Sequence, residues 1–348
     1  MPSIYELVTA NALSVYWTEL NSNRLPYLGA ALFPAKRMMG LKLSWIRGVN
    51  NLPVMLAPSA FDTKPTLRDR GGVNTFETKM PFFRESMRIG EEDRQQMLQL
   101  LQAGGNYIQP ILTKIFDDAS VLIDGALVIP EAMIWELLQT GKISIQSPNT
   151  DGLNVNYNYN YDVDGTWLTS NLITASVAWA QVAANPIKDI LAVKRLASAK
   201  GVSLVRGVMS PATWAKLVTN PSFAADLQSK TALSDTEIMQ YISAKTGMSF
   251  YVNEKMYKDY AGTDRAFMKD DTVVFMPAGA LGSTYYGTTP EEADLMSGNK
   301  DAVVSIVNSG VAIGTKTESL PVNVITWVAE IVLPSFERMS DVYNLKVV

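Results

Sequence analysis

Three pairs of adjacent acidic residues, Asp117-Asp118, Asp270-Asp271 and Glu291-Glu292, are the first whose type and spacing bear on chemistry. Two carboxyl groups about 5–10 Å apart across a cleft can hydrolyse a glycoside. Sequence neighbours on a helix or strand point away from each other, so these pairs are poorly arranged for that work. The chain has no His. That excludes Ser-His-Asp and Cys-His nucleophile systems and His-ligated zinc, and it removes the usual near-neutral proton shuttle. It has no Cys either, so there is no disulfide framework and no thiolate metal site. Asn160-Tyr161-Asp162-Val163-Asp164-Gly165 imitates the start of a calcium loop at positions one, three, five and six. Its twelfth position is Asn171 where a bidentate Glu is needed, so Asp164-Gly165 reads as a turn. Ser297 to Lys300 matches S-x-x-K, but the companion motifs are missing. Gly279–Gly282 and Gly310–Gly314 lack the spacing of a phosphate loop. No catalytic residue, cofactor or metal ligand is assigned.

A different feature dominates the chain. Residues 61–94 carry seven cations (Lys64, Arg68, Arg70, Lys79, Arg84, Arg88, Arg94) and seven anions (Asp62, Asp69, Glu77, Glu85, Glu91, Glu92, Asp93), against 18% charged residues for the whole protein. The apolar residues among them are too sparse to close a core. Such a segment is either a solvated surface hairpin or an arm laid on a partner that offers both signs of charge. A single-sign patch would point instead to nucleic acid or membrane. The net charge of −4 also argues against a general nucleic-acid binder.

The elements that position this stretch follow from periodicity and punctuation. The 348 residues and 47% hydrophobic content support a large core in two domains, or in one domain with long excursions. Residues 1–20 contain no Lys or Arg and predict no signal peptide. No stretch reaches the ~18–20 apolar residues of a membrane span.

Ser3 and Glu6 predict a capped first helix, with Ile4, Leu7, Val8, Ala12, Val15 and Tyr16 on its apolar face. Leu41, Leu43 and Trp45 alternate as a strand, with a return strand expected over Thr75–Phe83. A helical pattern starts at Glu91. A long helix runs from Asn106 to about Gln139, with a kink or break expected near Gly125 and Pro130 and a stop at Gly141.

Short strands follow at Lys142–Ser147 and Leu153–Val163. The second puts Tyr157, Tyr159 and Tyr161 on one face and Asn on the other. A Tyr row can stack bases, but no Lys or Arg lies between Gln146 and Lys188 to hold phosphates. Residues 166–320 read as a mixed unit. Helices are expected at Thr169–Ala184, after Asn185-Pro186, after Ser210-Pro211 and from the Ser234/Glu237 capping box to Gly247. Strands are expected at Val202–Met209, Met248–Val252 and Thr272–Met276, and a Gly-rich loop at Gly279–Thr289. Val322–Leu333 is a final strand, and Pro334 begins a tail.

LFPAKRMMGLKLSWIRG (32–48), LPVMLAPSAFDTKPTLRDR (52–70), ETKMPFFRESMRIGEEDRQ (77–95) and LPVNVITWVAEIVLPSFERMSDVYNLKV (320–347) resemble the major capsid protein family of tailed bacteriophages typified by the lambda E protein. The resemblance is strongest over 32–95 and looser over 166–300. It implies an α+β, Hong Kong 97-type phage capsid fold. Residues 1–40 would be the N-terminal arm, 41–90 the extended loop, 91–165 the spine helix with the first peripheral-domain strands, 166–320 the axial domain, and 321–348 the final peripheral strand and tail.

It further implies a non-enzymatic major capsid protein, found in the virion capsid and assembled in the host cytoplasm. Hexamers and pentamers of one chain would form an icosahedral head shell around double-stranded DNA that is enclosed and not read by sequence. Scaffold, portal and decoration proteins are further partners of such shells. Some relatives join neighbours by a Lys–Asn crosslink, but no residue here matches those partners. Arg68, Asp69, Arg70, Glu77, Arg84, Glu85 and Arg88 are the candidate intersubunit contacts. The alternatives are an encapsulin-like compartment for protein cargo and a His-free carboxylate hydrolase.

Overall fold

The computed structural model describes residues 10–21, 27–47, 74–93, 95, 108–148, 154–221, 234–297, 304–307, 310–320 and 322–347. Its first elements are α1 (Ala10–Asn21), α2 (Leu28–Leu32), β1 (Ala35–Arg37), β2 (Lys42–Arg47), β3 (Asn74–Lys79), β4 (Phe82–Ile89) and α3 (Ile108–Thr140). Then come β5 (Lys142–Pro148), β6 (Asn154–Asn160), α4 (Thr166–Asn171), β7 (Leu172–Thr174), α5 (Pro186–Ala199), β8 (Leu204–Met209), α6 (Pro211–Val218) and α7 (Asp235–Thr246). The remainder is β9 (Ser249–Val252), β10 (Met256–Lys258), β11 (Asp264–Ala266), β12 (Thr272–Pro277), β13 (Ser283–Tyr286), α8 (Pro290–Met296), β14 (Val304–Val307), β15 (Val311–Ser319), β16 (Val322–Ser335), a short 3-10 turn at Met339–Asp341 and β17 (Tyr343–Lys346).

Local chemistry sets most helix ends. Ser234 Oγ accepts from the Glu237 N–H, and the Glu237 carboxylate accepts from the Ser234 N–H at 2.8 Å, which closes the expected capping box. Asn185 and Ser210 are simple N-caps, whose side-chain oxygens accept the N–H groups of Lys188 and Thr213 at the starts of α5 and α6. Gly141, at φ 70°, ends α3 and passes the chain into β5.

The chain divides into two compact units. The first comprises Met1–Ser44, Glu77–Met133 and Gly282–Ser335; the second comprises Trp45–Phe76, Ile134–Leu281 and Phe336–Val348. In the first unit β16 is the organising strand. It pairs antiparallel with β15, with β4 through Val324–Ile331, and with β13 through Val332–Ser335. β1 adds parallel to β13, and β14 closes the other edge. A core of Leu13, Trp17, Ile89, Ile115, Leu122, Ile123, Ile313, Val324 and Val328 joins α1 and α3 to this sheet.

The second unit holds a five-stranded sheet in the order β7-β17-β12-β8-β9. Its core draws on α5, α6 and α7, including Ile190, Val193, Trp214, Ile238, Ile242, Phe275 and Tyr343. Gly282–Ser319, within the span expected for a 166–320 domain, falls in the first unit, where β13–β15 join the sheet around β16.

Several expectations are corrected. The buried face of α1 is Leu13 and Trp17, one step round from the expected Val15, which is 48% exposed; Ser3, Ile4, Glu6, Leu7 and Val8 lie outside the described residues. No break occurs near 125–130. α3 runs unbroken for 33 residues, about 50 Å at 1.5 Å per residue, because the burial of Ala126, Met133, Ile134, Leu137 and Leu138 outweighs the hydrogen bond that Pro130 cannot donate.

The return strand is two strands divided at Met80-Pro81. The helix expected over Thr169–Ala184 stops at Asn171 and turns into β7, because Asn171 Nδ2 donates to the carbonyls of Ser340 and Val342 and draws the chain alongside β17. The Gly-rich segment 279–289 contains β13. Its glycines serve close packing: a Cβ on Gly287 would stand 2.8 Å from both Ile331 and Met80. Pro334 lies within β16, opposite Thr284, and the segment beyond it supplies β17.

Candidate functional site

The described part of the charged stretch is built on β3 and β4. Arg68, Asp69 and Arg70 lie outside the described residues. Glu77 on β3 faces Lys42 on β2 at 3.5 Å. Both side chains are largely exposed, so this pair contributes little stability.

On β4 the period of two puts Arg84 and Arg88 on one face, with Glu85 on the other. Arg84 makes an ion pair with Glu291 on α8, and its guanidinium lies 4.8 Å from the Phe82 ring centroid. Arg88 is exposed, and its charge helps keep the Glu318 carboxyl below its usual range, behind the hydrogen bonds from Asn323 and Lys316. Glu85 is exposed and makes no ion pair among the described residues. Arg84 and Arg88 are thus brought onto one face; Glu77 and Glu85 are not.

The acidic pairs prove to be structural fasteners. Glu291 and Glu292 occupy the first turn of α8, capped by Thr289, where the helix dipole favours negative charge. Glu291 holds Arg84, while Glu292 holds Arg37 at the end of β1. Asp270 accepts from Ser210 Oγ at 2.6 Å, and Asp271 pairs with Lys216. Asp117 accepts from the Tyr16 hydroxyl at 3.4 Å, while burial raises the pKa of Asp118. Every pair therefore splits between two different tasks.

Asp162 of the calcium-like stretch accepts the N–H groups of Trp167 and Leu168 with its two oxygens, at 2.9 and 3.0 Å, and so starts α4. Gly165 forms the expected turn, donating to the Asp162 carbonyl. Ser297 Oγ donates to the Asp294 carbonyl; Lys300 lies outside the described residues. Among the described residues no cluster of three or more acidic side chains is placed to hold a metal, and no helix is long and apolar enough to cross a membrane.

Two buried carboxyl groups gave only faint signals in the sequence. Glu131, buried on α3, accepts the Gly29 N–H at 3.0 Å. Glu330, in β16, is 1% exposed, and neither carboxyl oxygen has a hydrogen-bond partner among the described residues. Burial drives its pKa far above the usual carboxylate range. A lone Glu inside the apolar run VNVITWVAEIVL was the available signal.

The sequence profile of the family described as phage major capsid protein E matches residues 9–321. The chain belongs to this family. It is therefore a phage major capsid protein, a homo-oligomeric shell former of the virion capsid. No curated protein sequence matches it.

Solved structures share its fold at low identity. A phage-related protein of Bordetella bronchiseptica RB50 has 12% identity and a TM-score of 0.58, with 98% of this chain and 97% of that chain covered. The capsid protein proposed for an Escherichia coli CFT073 prophage has 14% identity and a TM-score of 0.58, with 98% and 99% covered. The capsid protein of cyanophage A-1(L) has 12% identity and a TM-score of 0.52, with 94% of each chain covered. The α+β architecture of this capsid protein is the one expected of the Hong Kong 97 type.

Proposed function

We propose that this chain assembles as hexamers and pentamers into the icosahedral head shell of a tailed phage, around double-stranded DNA, in the host cytoplasm and without catalytic activity of its own. The family match over residues 9–321 carries the reading. The commitment of Glu291, Glu292, Asp270 and Asp271 to separate structural partners supports a non-catalytic role. The first compact unit supplies the N-terminal arm, most of the spine helix and the peripheral sheet, and the second supplies the axial domain. Residues 41–90 are the proposed extended loop. Scaffold, portal and decoration proteins are the further partners of such a shell.

Arg68, Asp69, Arg70, Glu77, Arg84, Glu85 and Arg88 are the proposed contacts with neighbouring copies, and the ion pair of Arg84 with Glu291 also braces β4. Charges of both signs set the orientation of one subunit on the next. Light scattering and negative-stain microscopy of the protein, expressed alone and with its gene neighbours, test the reading. Closed particles or capsomer rings support it, and a 38.2 kDa monomer under every condition overturns it. The contents of purified particles decide between DNA and the protein cargo of an encapsulin-like compartment.

A further inference from the structure

We propose that a notch between Arg47 and Lys200 receives a carboxylate side chain from a second copy of this chain. The inference rests on the shell reading and adds a specific contact to it. The notch has a volume of about 120 Å³ and lies wholly within the second unit. Trp167 and Val202, both buried, form its apolar floor. Thr166, Ser170 and Ser340 add hydroxyls around the rim.

The charges on this notch are one-sided. Arg47 and Lys200 both line it, no acidic side chain does, and neither cation has a carboxylate partner among the described residues. The Lys200 ammonium donates to the Ser170 carbonyl and to Asn171 Oδ1, both at 2.9 Å. It also lies 5.5 Å from the Tyr343 ring centroid. Two of its three N–H bonds are thereby fixed, and one remains to give. Asn171 is itself held by the Ser340 and Val342 carbonyls, so the ammonium is positioned before any partner arrives. Burial lowers the Lys200 pKa, and no neighbouring carboxylate acts to raise it again. An anion seated in the notch gains attraction from both cations.

The space suits a carboxylate. A site of this size holds several waters, or the end of one Asp or Glu side chain. A second copy is the fitting source because a shell surrounds every subunit with others. The chain also carries 34 acidic against 30 basic residues, so carboxylates are abundant on its neighbours. A DNA phosphate would have to approach a protein of net charge −4.

Zero-length carbodiimide coupling, which joins an amine to a carboxylate in contact with it, tests the proposal. Particles are assembled from equal parts of ¹⁴N- and ¹⁵N-labelled protein, treated and analysed by mass spectrometry. The expected product is a Lys200 peptide joined to an Asp- or Glu-containing peptide of the same protein, with half the pairs of mixed isotope. Lys200 left uncoupled, or coupled only within one copy, overturns the proposal, as does its photo-crosslinking to nucleic acid. In parallel, Arg47→Gln/Lys200→Gln raises the concentration needed for assembly by roughly tenfold, as expected for losing a partly buried charge contact, while circular dichroism of the monomer is unchanged. A double variant that assembles like wild type sinks the notch and leaves the shell reading intact. A wild-type protein that never assembles sinks the shell reading itself.

Discussion

The backbone N–H of Gly29 donates to the buried carboxylate of Glu131 at 3.0 Å, and the approach is so close that a Cβ on Gly29 would overlap that carboxylate, 2.9 Å from its Cδ. One residue type at position 29 lets the segment ahead of β1 rest on α3. Gly29→Ala must push the carboxylate aside or tilt α2. Glu131→Ala leaves a buried donor unsatisfied, at a cost of about 1–3 kcal/mol. The two effects share one contact, so the double variant loses less stability than the sum of the single variants. Chemical denaturation of the four proteins measures this, and strict additivity would contradict the assigned contact.

Arg37 and Arg84 hold adjacent acids of unequal burial. The Glu292 side chain is 4% exposed and that of Glu291 14%. Removing Arg37 strands the more buried charge, and we expect Arg37→Ala to cost about 3 kcal/mol, at the low end for a broken buried pair because Arg37 itself is partly exposed. Arg84→Ala should cost less. The order of the denaturant midpoints checks this, and equal midpoints would refute the ranking.

Glu330 sets a pH dependence. Its folded pKa is raised above the unfolded value of about 4.5 by burial, so the native state holds a proton that the unfolded state releases. The native state is favoured most below the unfolded pKa and loses ground as pH climbs from there toward the folded pKa. Across that window, stability relative to Glu330→Gln falls by about 1.4 kcal/mol per pH unit. Thermal or urea unfolding of both proteins from pH 4 to 8 gives the difference directly, and a pH-independent difference rules the assignment out.

Gly282 is the tightest of these approaches. A Cβ there would collide with the Ser335 carbonyl oxygen and stand 2.6 Å from the Phe33 ring, where β13 joins β16. Backbone cannot step aside as a side chain can. Gly282→Ala should therefore yield little folded protein, whereas an alanine at Gly125, where a Cβ meets open space, should be tolerated. Soluble yield and circular dichroism compare the two.

What the sequence disclosed was mostly local. Ser234 with Glu237, Asn185-Pro186 and Gly141 marked helix ends because capping depends on residues a few positions apart. The resemblance in residues 32–95 and 320–347 disclosed the family, and through it the fold. The failures arose where distant segments decided the outcome. Asn171 reaches the Ser340 and Val342 carbonyls and converts an expected helix into an edge strand. Gly282 and Gly287 looked like loop residues because the strands pressing on them are far away in sequence. The Arg37 and Arg84 contacts span 255 and 207 residues, beyond any spacing rule.

The interleaving of the two units governs when this protein can fold during its synthesis. β1 lies beside β13, β4 beside β16 and β7 beside β17, so early segments in both units wait for partners made much later. A nascent chain shorter than about 335 residues lacks the central strand of one sheet or an inner strand of the other. Ribosomes translating one message side by side thus carry polypeptides that present no finished surface to one another. The surface that joins a shell is therefore complete only as the last strand emerges.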